Sequence, residues 1–159
     1  MGKVILVCGK MGSGKTTYAN KLAGALNAMV IAHDDIMLGL FGGELYENDR
    51  KRFFRYHGWV DAYTKHITGA AALSGATVIF ANGFWSRAER DELRKHYSDM
   101  GVDCVLHYID TTETQRYRNI LKRNEDIRNG EPGYILIDDE DINHFFETPD
   151  DDEIDCRVR

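Results

Sequence analysis

The sequence predicts an α/β fold: a parallel sheet with helices packed on both faces. Three observations carry that prediction. Short, continuously apolar runs alternate with longer stretches of helical periodicity, the pattern of strands buried on both faces. The first apolar run leads directly into a glycine-rich loop and then a helix, an arrangement that gathers backbone N–H groups around an anion. The 159 residues are 43% hydrophobic and 29% charged with only two prolines, which suits one domain over residues 1–159 and excludes a disordered or fibrous chain.

Taken in order, Lys3–Cys8 reads as a buried strand and Lys15–Leu26 as the helix after it. Met29–Ala32 is a second short strand, ending at His33-Asp34-Asp35. Between Asn48 and Leu73, the residues Phe53, His57, Val60, Thr64, Ile67 and Ala71 recur at steps of three and four. That spacing predicts an amphipathic helix, with a break near Gly58. Thr77–Ala81 is the third strand, and Ser86 with Glu89 three residues on has the form of a capping box for a helix to about Met100. Val102–Ile109 gives the fourth strand, Thr112–Asn124 a helix, Asp126–Gly133 a loop, Glu140–Glu147 a short helix and Ile154–Val158 an edge strand. Ligands of such folds sit beyond the carboxyl ends of the strands, so residues 9–17, 33–35 and 82–87 are expected on one rim.

The charge is unevenly spread. Lys and Arg number 20 against 26 Asp and Glu, and ten of the acids fall in Asp138–Asp155, which has no Lys or Arg. The body is therefore mildly basic, and the acidic run predicts a solvated segment. Net acidity disfavours a nonspecific nucleic-acid binder. No apolar run approaches the ~20 residues of a membrane span. Cys8, Cys104 and Cys156 form no CxxC pair, so neither a disulfide framework nor a zinc site is expected. The expectation is a cytoplasmic protein with no membrane partner.

The strongest motif is Gly9-Lys10-Met11-Gly12-Ser13-Gly14-Lys15-Thr16, which fits G-x-x-x-x-G-K-[ST] in full and stands between a strand and a helix. Its glycines let the backbone wrap an anion, and the helix N-terminus adds a positive dipole. Gly9 through Thr17 is the expected nucleotide-binding loop. Lys15 would reach the β- and γ-phosphates, and the Thr16 hydroxyl would be a ligand of Mg²⁺.

Beyond this loop the chain resembles the P-loop kinase group that includes gluconate kinase, chloramphenicol phosphotransferase, the zeta-toxin kinases and polynucleotide kinase. It is more closely similar to the AAA-type ATP-binding proteins of that group. The resemblance rests on the loop together with His33-Asp34-Asp35-Ile36-Met37, Leu40-Phe41-Gly42-Gly43-Glu44-Leu45-Tyr46, Gly83-Phe84-Trp85-Ser86-Arg87-Ala88-Glu89-Arg90 and Phe146-Glu147-Thr148-Pro149-Asp150. It implies a three-layer P-loop NTPase fold with strand order 2-3-1-4-5 and an arginine-bearing lid.

The same resemblance distributes roles. Asp34 aligns with the acidic residue that faces the acceptor, where a carboxylate orients a hydroxyl, accepts its proton and helps hold Mg²⁺-bound water. Asp35, its neighbour, is the second candidate on the substrate side. Arg116, Arg118, Lys122, Arg123 and Arg128 fall in the lid, with Arg118 and Arg123 matching recurrent arginines of the group. Planar guanidinium groups there would stabilise charge on the phosphoryl oxygens. Trp85 and Arg87, at a strand's carboxyl end, are candidates for the substrate wall. Arg50, Lys51, Arg52, Arg55, His57, Trp59 and Tyr63 lie where such kinases place acceptor-binding helices, although a solvated basic face over core aromatics explains the same pattern.

One position departs from the group. An Asp is usual where this chain has Ala81, and an alanine side chain neither holds a metal-bound water nor accepts a hydrogen bond. Asn82 is a neutral substitute, but regular strand alternation would aim it to the other face. The reading is thus an ATP- and Mg²⁺-dependent kinase for a hydroxyl of a small molecule, with Lys15, Asp34 and Arg123 as its catalytic residues. A polynucleotide 5′-hydroxyl kinase and a non-catalytic nucleotide-binding switch are the alternatives.

Overall fold

The computed structural model describes residues 2–133 and 135–159. Twelve elements run β1 (Lys3–Cys8), α1 (Lys15–Leu26), β2 (Met29–Ala32), α2 (His33–Phe41), α3 (Leu45–Asn48), α4 (Arg50–Leu73), β3 (Thr77–Ala81), α5 (Arg87–Asp99), β4 (Asp103–Ile109), α6 (Glu113–Arg128), α7 (Asp139–Ile142) and β5 (Cys156–Val158). The five strands form one sheet in the order β2-β3-β1-β4-β5, with every neighbouring pair parallel. This is the α/β P-loop NTPase architecture.

Both faces of the sheet are apolar because both are covered. Val4, Leu6 and Cys8 of β1 pack with Val78, Phe80 and Leu106 against Ala72 of α4 and Leu93 and Tyr97 of α5. Ile5 and Val7 point the other way, joining Ile79 and Ala81 against Ala19 of α1. The period of two along each strand therefore feeds two cores at once. A third cluster, Met37, Phe53 and Val60 with Ile36, Phe41 and Tyr46, binds α2, α3 and α4 into a helical lobe beyond the carboxyl end of β2.

Several boundaries differ from expectation. His33–Phe41 is helical although the apolar pattern marks no helix there; Asp34, which by residue type would also suit a helix N-cap, sits with Asp35 in its first turn, and Met37 anchors it to the third core. Helix α4 runs through Gly58 without a break. Gly58 is exposed, and burial of Phe53, Val60 and Thr64 on either side outweighs its low propensity of about 1 kcal/mol. Helix α6 extends to Arg128, taking up the first three residues of the expected 126–133 loop, while α7 spans only 139–142 and is set by an Asp138–Asp141 capping box. The Ser86 hydroxyl caps α5 by accepting from Glu89 N–H, but the Glu89 carboxylate accepts from Trp85 N–H.

The acidic segment is not simply solvated. Asp150 and Asp152 pair with Arg87, Glu153 with Arg90, and Asp155 with Arg94. These arginines recur at steps of three and four along α5, and β5 then adds to the edge of β4. Four of the like charges that would repel one another along a free chain thus meet a cation, so the end of the segment lies along α5.

Candidate active site

The loop after β1 turns through two left-handed glycines, Gly12 at φ 78° and Gly14 at φ 94°. A Cβ on Gly12 would also lie 2.5 Å from Cγ1 of Ile120, so both conformation and space demand glycine there. Helix α1 begins at Lys15 with no side-chain cap and no acidic residue in its first turn, leaving its N-terminal amides and dipole free for an outside anion. The Lys15 ammonium folds back onto the carbonyls of Gly9 and Lys10, at 2.8 and 3.0 Å. Burial there lowers its pKa to about 8, despite the opposing pull of Asp34. Among the described residues, the buried Ser13 hydroxyl has no hydrogen-bond partner. An uncapped helix end and a desolvated ammonium in one loop fit a bound polyphosphate.

This loop opens into a cavity of about 580 Å³. Its phosphate end is lined by Met11, Gly12, Gly14, Lys15, Thr16 and Thr17, with Asp34, Ala81, Asn82 and Arg123 facing them. Its far end is lined by Tyr46, Arg50, Phe53, Phe54 and His57 from the helical lobe, and by Trp85 and His144 opposite. Gly9, Lys10 and Ser13 shape the loop without lining the cavity; Lys10 instead pairs with Glu113 at 2.9 Å.

Asp34 stands on the first turn of α2 and opens to the cavity with a half-exposed side chain. Enclosure by protein on its other sides pushes its pKa up, but His33, Lys15 and Arg123 outweigh this and hold the carboxylate below its ordinary value. It is thus an ionised carboxylate, able to accept a hydrogen bond from a hydroxyl. Beneath it lies the fully buried His33, its Nδ1 3.5 Å from Asp34 Oδ1 and its Nε2 3.2 Å from the carbonyl of His57. Burial lowers the His33 pKa, but Asp34 and that carbonyl bring it above the ordinary value. Asp35, one residue on, is exposed and does not line the cavity; burial and the Asp34 charge raise its pKa.

The arginines separate. Arg123 lines the cavity and its guanidinium makes one long contact, 3.4 Å to the carbonyl of Ile135. Arg116 is buried, bonded to Glu113 and to the carbonyls of Met11 and Ile142, so it ties α6 to the phosphate loop and α7. Arg118 is exposed and away from the cavity. Trp85 lines it, whereas the Arg87 guanidinium turns outward to Asp150 and Asp152. Of the basic and aromatic residues early in α4, Arg50 and His57 reach the cavity, while Lys51, Arg52, Arg55, Trp59 and Tyr63 are exposed outside it.

Strand β3 ends at Ala81, so alternation lapses there and Ala81 and Asn82 both line the cavity. Asn82 is nevertheless committed: its Oδ1 accepts from Gly83 N–H at 2.7 Å, and its Nδ2 donates to Asp61 at 3.2 Å. Tyr46, Phe53, Phe54 and His144 were not legible as site residues. Arg50, Phe53 or Phe54, and His57 are separated by three or four positions, a common helix face that the cavity reveals. No three His, Cys, Asp or Glu side chains among the described residues form a group able to hold a metal, so any Mg²⁺ would depend on phosphate oxygens together with Thr16 and Asp34.

Comparison with known proteins accords with this geometry. No curated protein matches the chain. The Mycobacterium tuberculosis APS kinase, solved with AMPPNP and APS, superposes with TM-score 0.69 at 21% identity over 99% of this chain and 87% of its own. A sugar kinase from Janibacter sp. gives TM-score 0.64 at 19% identity, covering 99% of this chain and 85% of that one. A chain of the Pnkp1/Rnl/Hen1 RNA repair complex gives TM-score 0.63 at 21% identity, over 79% of this chain but 38% of that one. At these identities the likeness establishes a P-loop kinase-like fold. A family model described as an AAA domain matches residues 4–132, from β1 through α6, and the chain belongs to that family.

Proposed function

We propose that this protein is an ATP-dependent kinase that moves the γ-phosphoryl group to a hydroxyl of a small molecule. One observation carries the reading: Asp34, held ionised, faces the same cavity as the phosphate loop and Arg123. The hydroxyl oxygen would form a bond to the γ-phosphorus as the bond to the β,γ-bridging oxygen breaks, with ADP as the leaving group. Asp34 would orient that hydroxyl and take its proton. Lys15 would move from the loop carbonyls to the phosphates, and Arg123, which makes no ion pair among the described residues, would meet the charge that spreads over the equatorial oxygens. Mg²⁺, held by the phosphates, Thr16 and, through water, Asp34, would supply further neutralisation of that charge.

The kinase likeness of the structural neighbours supports the reading, and the neighbour in an RNA repair complex keeps a polynucleotide acceptor among the compounds to try. Ala81 favours a second reading, a nucleotide-binding protein without turnover, because the cavity lacks the third-strand carboxylate. Incubation with Mg·ATP and a broad panel of alcohols, read by mass spectrometry for a phosphorylated product, separates the two. A phosphorylated acceptor whose yield collapses in Asp34→Asn supports the kinase. Tight Mg·ATP binding with no product from any alcohol supports the second reading.

A further inference from the structure

The far end of the cavity is built from rings. Tyr46 and Phe53 meet edge-on at 4.9 Å on one wall, with Phe54 beside them; Trp85 meets His144 edge-on at 4.7 Å on the other. Trp85 is held firmly. A Cβ on Gly83 would lie 2.4 Å from its indole, so glycine is what lets the ring fold back. Its backbone N–H donates to Glu89, and its carbonyl accepts from Glu147 N–H. The preceding Phe84 is in the left-handed region at φ 48°, an uncommon conformation for a bulky residue, and Arg90 donates to its carbonyl at 3.0 Å. By contrast Phe54, met edge-on by Phe53 and Tyr46, lines the cavity yet remains 61% exposed.

Among the described residues, Arg50 is the cation that lines this end, while the acids Glu140 and Asp141 line the cavity from α7. Arg50 lies with its guanidinium 4.6 Å from the Tyr46 ring centroid and, among the described residues, makes no ion pair. A polyhydroxylated chain would leave these ring faces uncovered and exchange its water hydrogen bonds for few new ones. A flat ring would cover Phe54 and stack within the walls, and an anionic group would satisfy Arg50. Resting on the kinase reading, we propose that the acceptor is a ring-bearing alcohol that carries an anionic group, its ring at Phe54 and Trp85, its anion at Arg50 and its hydroxyl toward Asp34.

Calorimetry in the presence of Mg²⁺ and a non-hydrolysable ATP analogue tests this without requiring turnover. The ring-bearing anions are thymidine phosphorylated on its secondary hydroxyl and para-(hydroxymethyl)benzoate, which separate a nucleotide source from an aromatic-acid source. Thymidine and benzyl alcohol lack the anion, and gluconate lacks the ring. At least one ring-bearing anion should bind more tightly than its uncharged counterpart by about tenfold or more, and more tightly than gluconate. Arg50→Met should remove that advantage while leaving affinity for the uncharged ring unchanged, and Phe54→Ala should weaken both; retained affinity for the ATP analogue shows that each variant is folded. Preference for gluconate, no binding of either ring-bearing anion, or an Arg50→Met variant with unaltered affinity for them overturns the proposal. If gluconate is phosphorylated while no ring-bearing anion binds, the kinase reading stands and this one falls. If a ring-bearing anion binds in this pattern but neither it nor any alcohol of the broad panel is phosphorylated from Mg·ATP, the ring-and-anion site stands and the kinase reading falls.

Discussion

Arg90 and Glu153, far apart in the chain, form a buried two-bond ion pair: Nε to Oε2 at 2.7 Å and Nη2 to Oε1 at 3.1 Å. Their side chains are 0% and 3% exposed. The remaining Arg90 donor serves the carbonyls of Phe84 and Glu147, so one guanidinium joins α5, the loop that carries Trp85 and the acidic C-terminal segment. Removal of one member strands a buried charge, which is far costlier than loss of an exposed pair.

Glu153→Gln should therefore destabilise the protein by about 3–5 kcal/mol, measured by denaturant unfolding. Burial raises the Glu153 pKa, but Arg90 and the Asp150 N–H bring it below the ordinary glutamate value of 4.5. A depressed carboxylate contributes stability that is present above its unfolded value and lost as pH falls through the folded one. The wild-type protein should lose this increment below about pH 4.5, and the variant should show a shallower acid limb. Equal unfolding midpoints at neutral pH would show that the pair does not hold the segment.

Lys15 gives the same sign for the opposite reason, because folding penalises its charged form. Its folded pKa near 8 lies below the ordinary 10.5, so the unfolded chain binds more protons between those values, and the ligand-free protein gains stability as pH rises across the window. Lys15→Met should remove that gain and sharply reduce Mg·ATP affinity. Binding of Mg·ATP to the wild type near pH 8 should take up protons, because the phosphates restore the charged ammonium. Calorimetry in buffers of different ionisation enthalpy reads this directly, and wild-type binding without proton uptake would contradict the assignment.

Asp34→Asn keeps size while removing charge and basicity. Turnover should fall by roughly 10²–10⁴-fold, with the loss in kcat and ATP affinity changed by less than about tenfold. On the proposed reading the phosphate contacts would come from the loop and Lys15, which the substitution leaves in place. Near-wild-type kcat, with any phosphorylated acceptor or with slow ATP hydrolysis as the readout, would remove Asp34 from the chemistry.

Ala81→Asp supplies the missing third-strand carboxylate at a position that lines the cavity. Mg²⁺ affinity in the nucleotide complex should rise, since an added anion beside the phosphates attracts the cation. A Mg²⁺ titration of the folded variant in the presence of an ATP analogue measures this, and an unchanged midpoint would show that the metal is held on the Thr16 and Asp34 side.

The strands and the phosphate loop were legible in the residue pattern, and the strand order in the family resemblance. Continuous apolar runs such as Val4–Cys8 have one stable destination, and Gly12, Gly14 and Lys15 act through local backbone geometry that neighbours in the chain suffice to set. Local signals failed where partners are distant. The helix at His33 depends on Met37 meeting Phe53 and Val60, and the continuity of α4 through Gly58 on the same packing. Which acid faces the cavity, Asp34 or its neighbour, was decided by how α2 docks. Which lid arginine reaches it was decided by the turn of α6, with Arg123 inward, Arg116 buried and Arg118 in solvent. The acidic run was charge without direction until α5 set Arg87, Arg90 and Arg94 beside it. Ion pairing and ring packing fall off within a few ångströms, so only the folded chain, which brings residues such as Trp85 and His144 together, could say what lines the site.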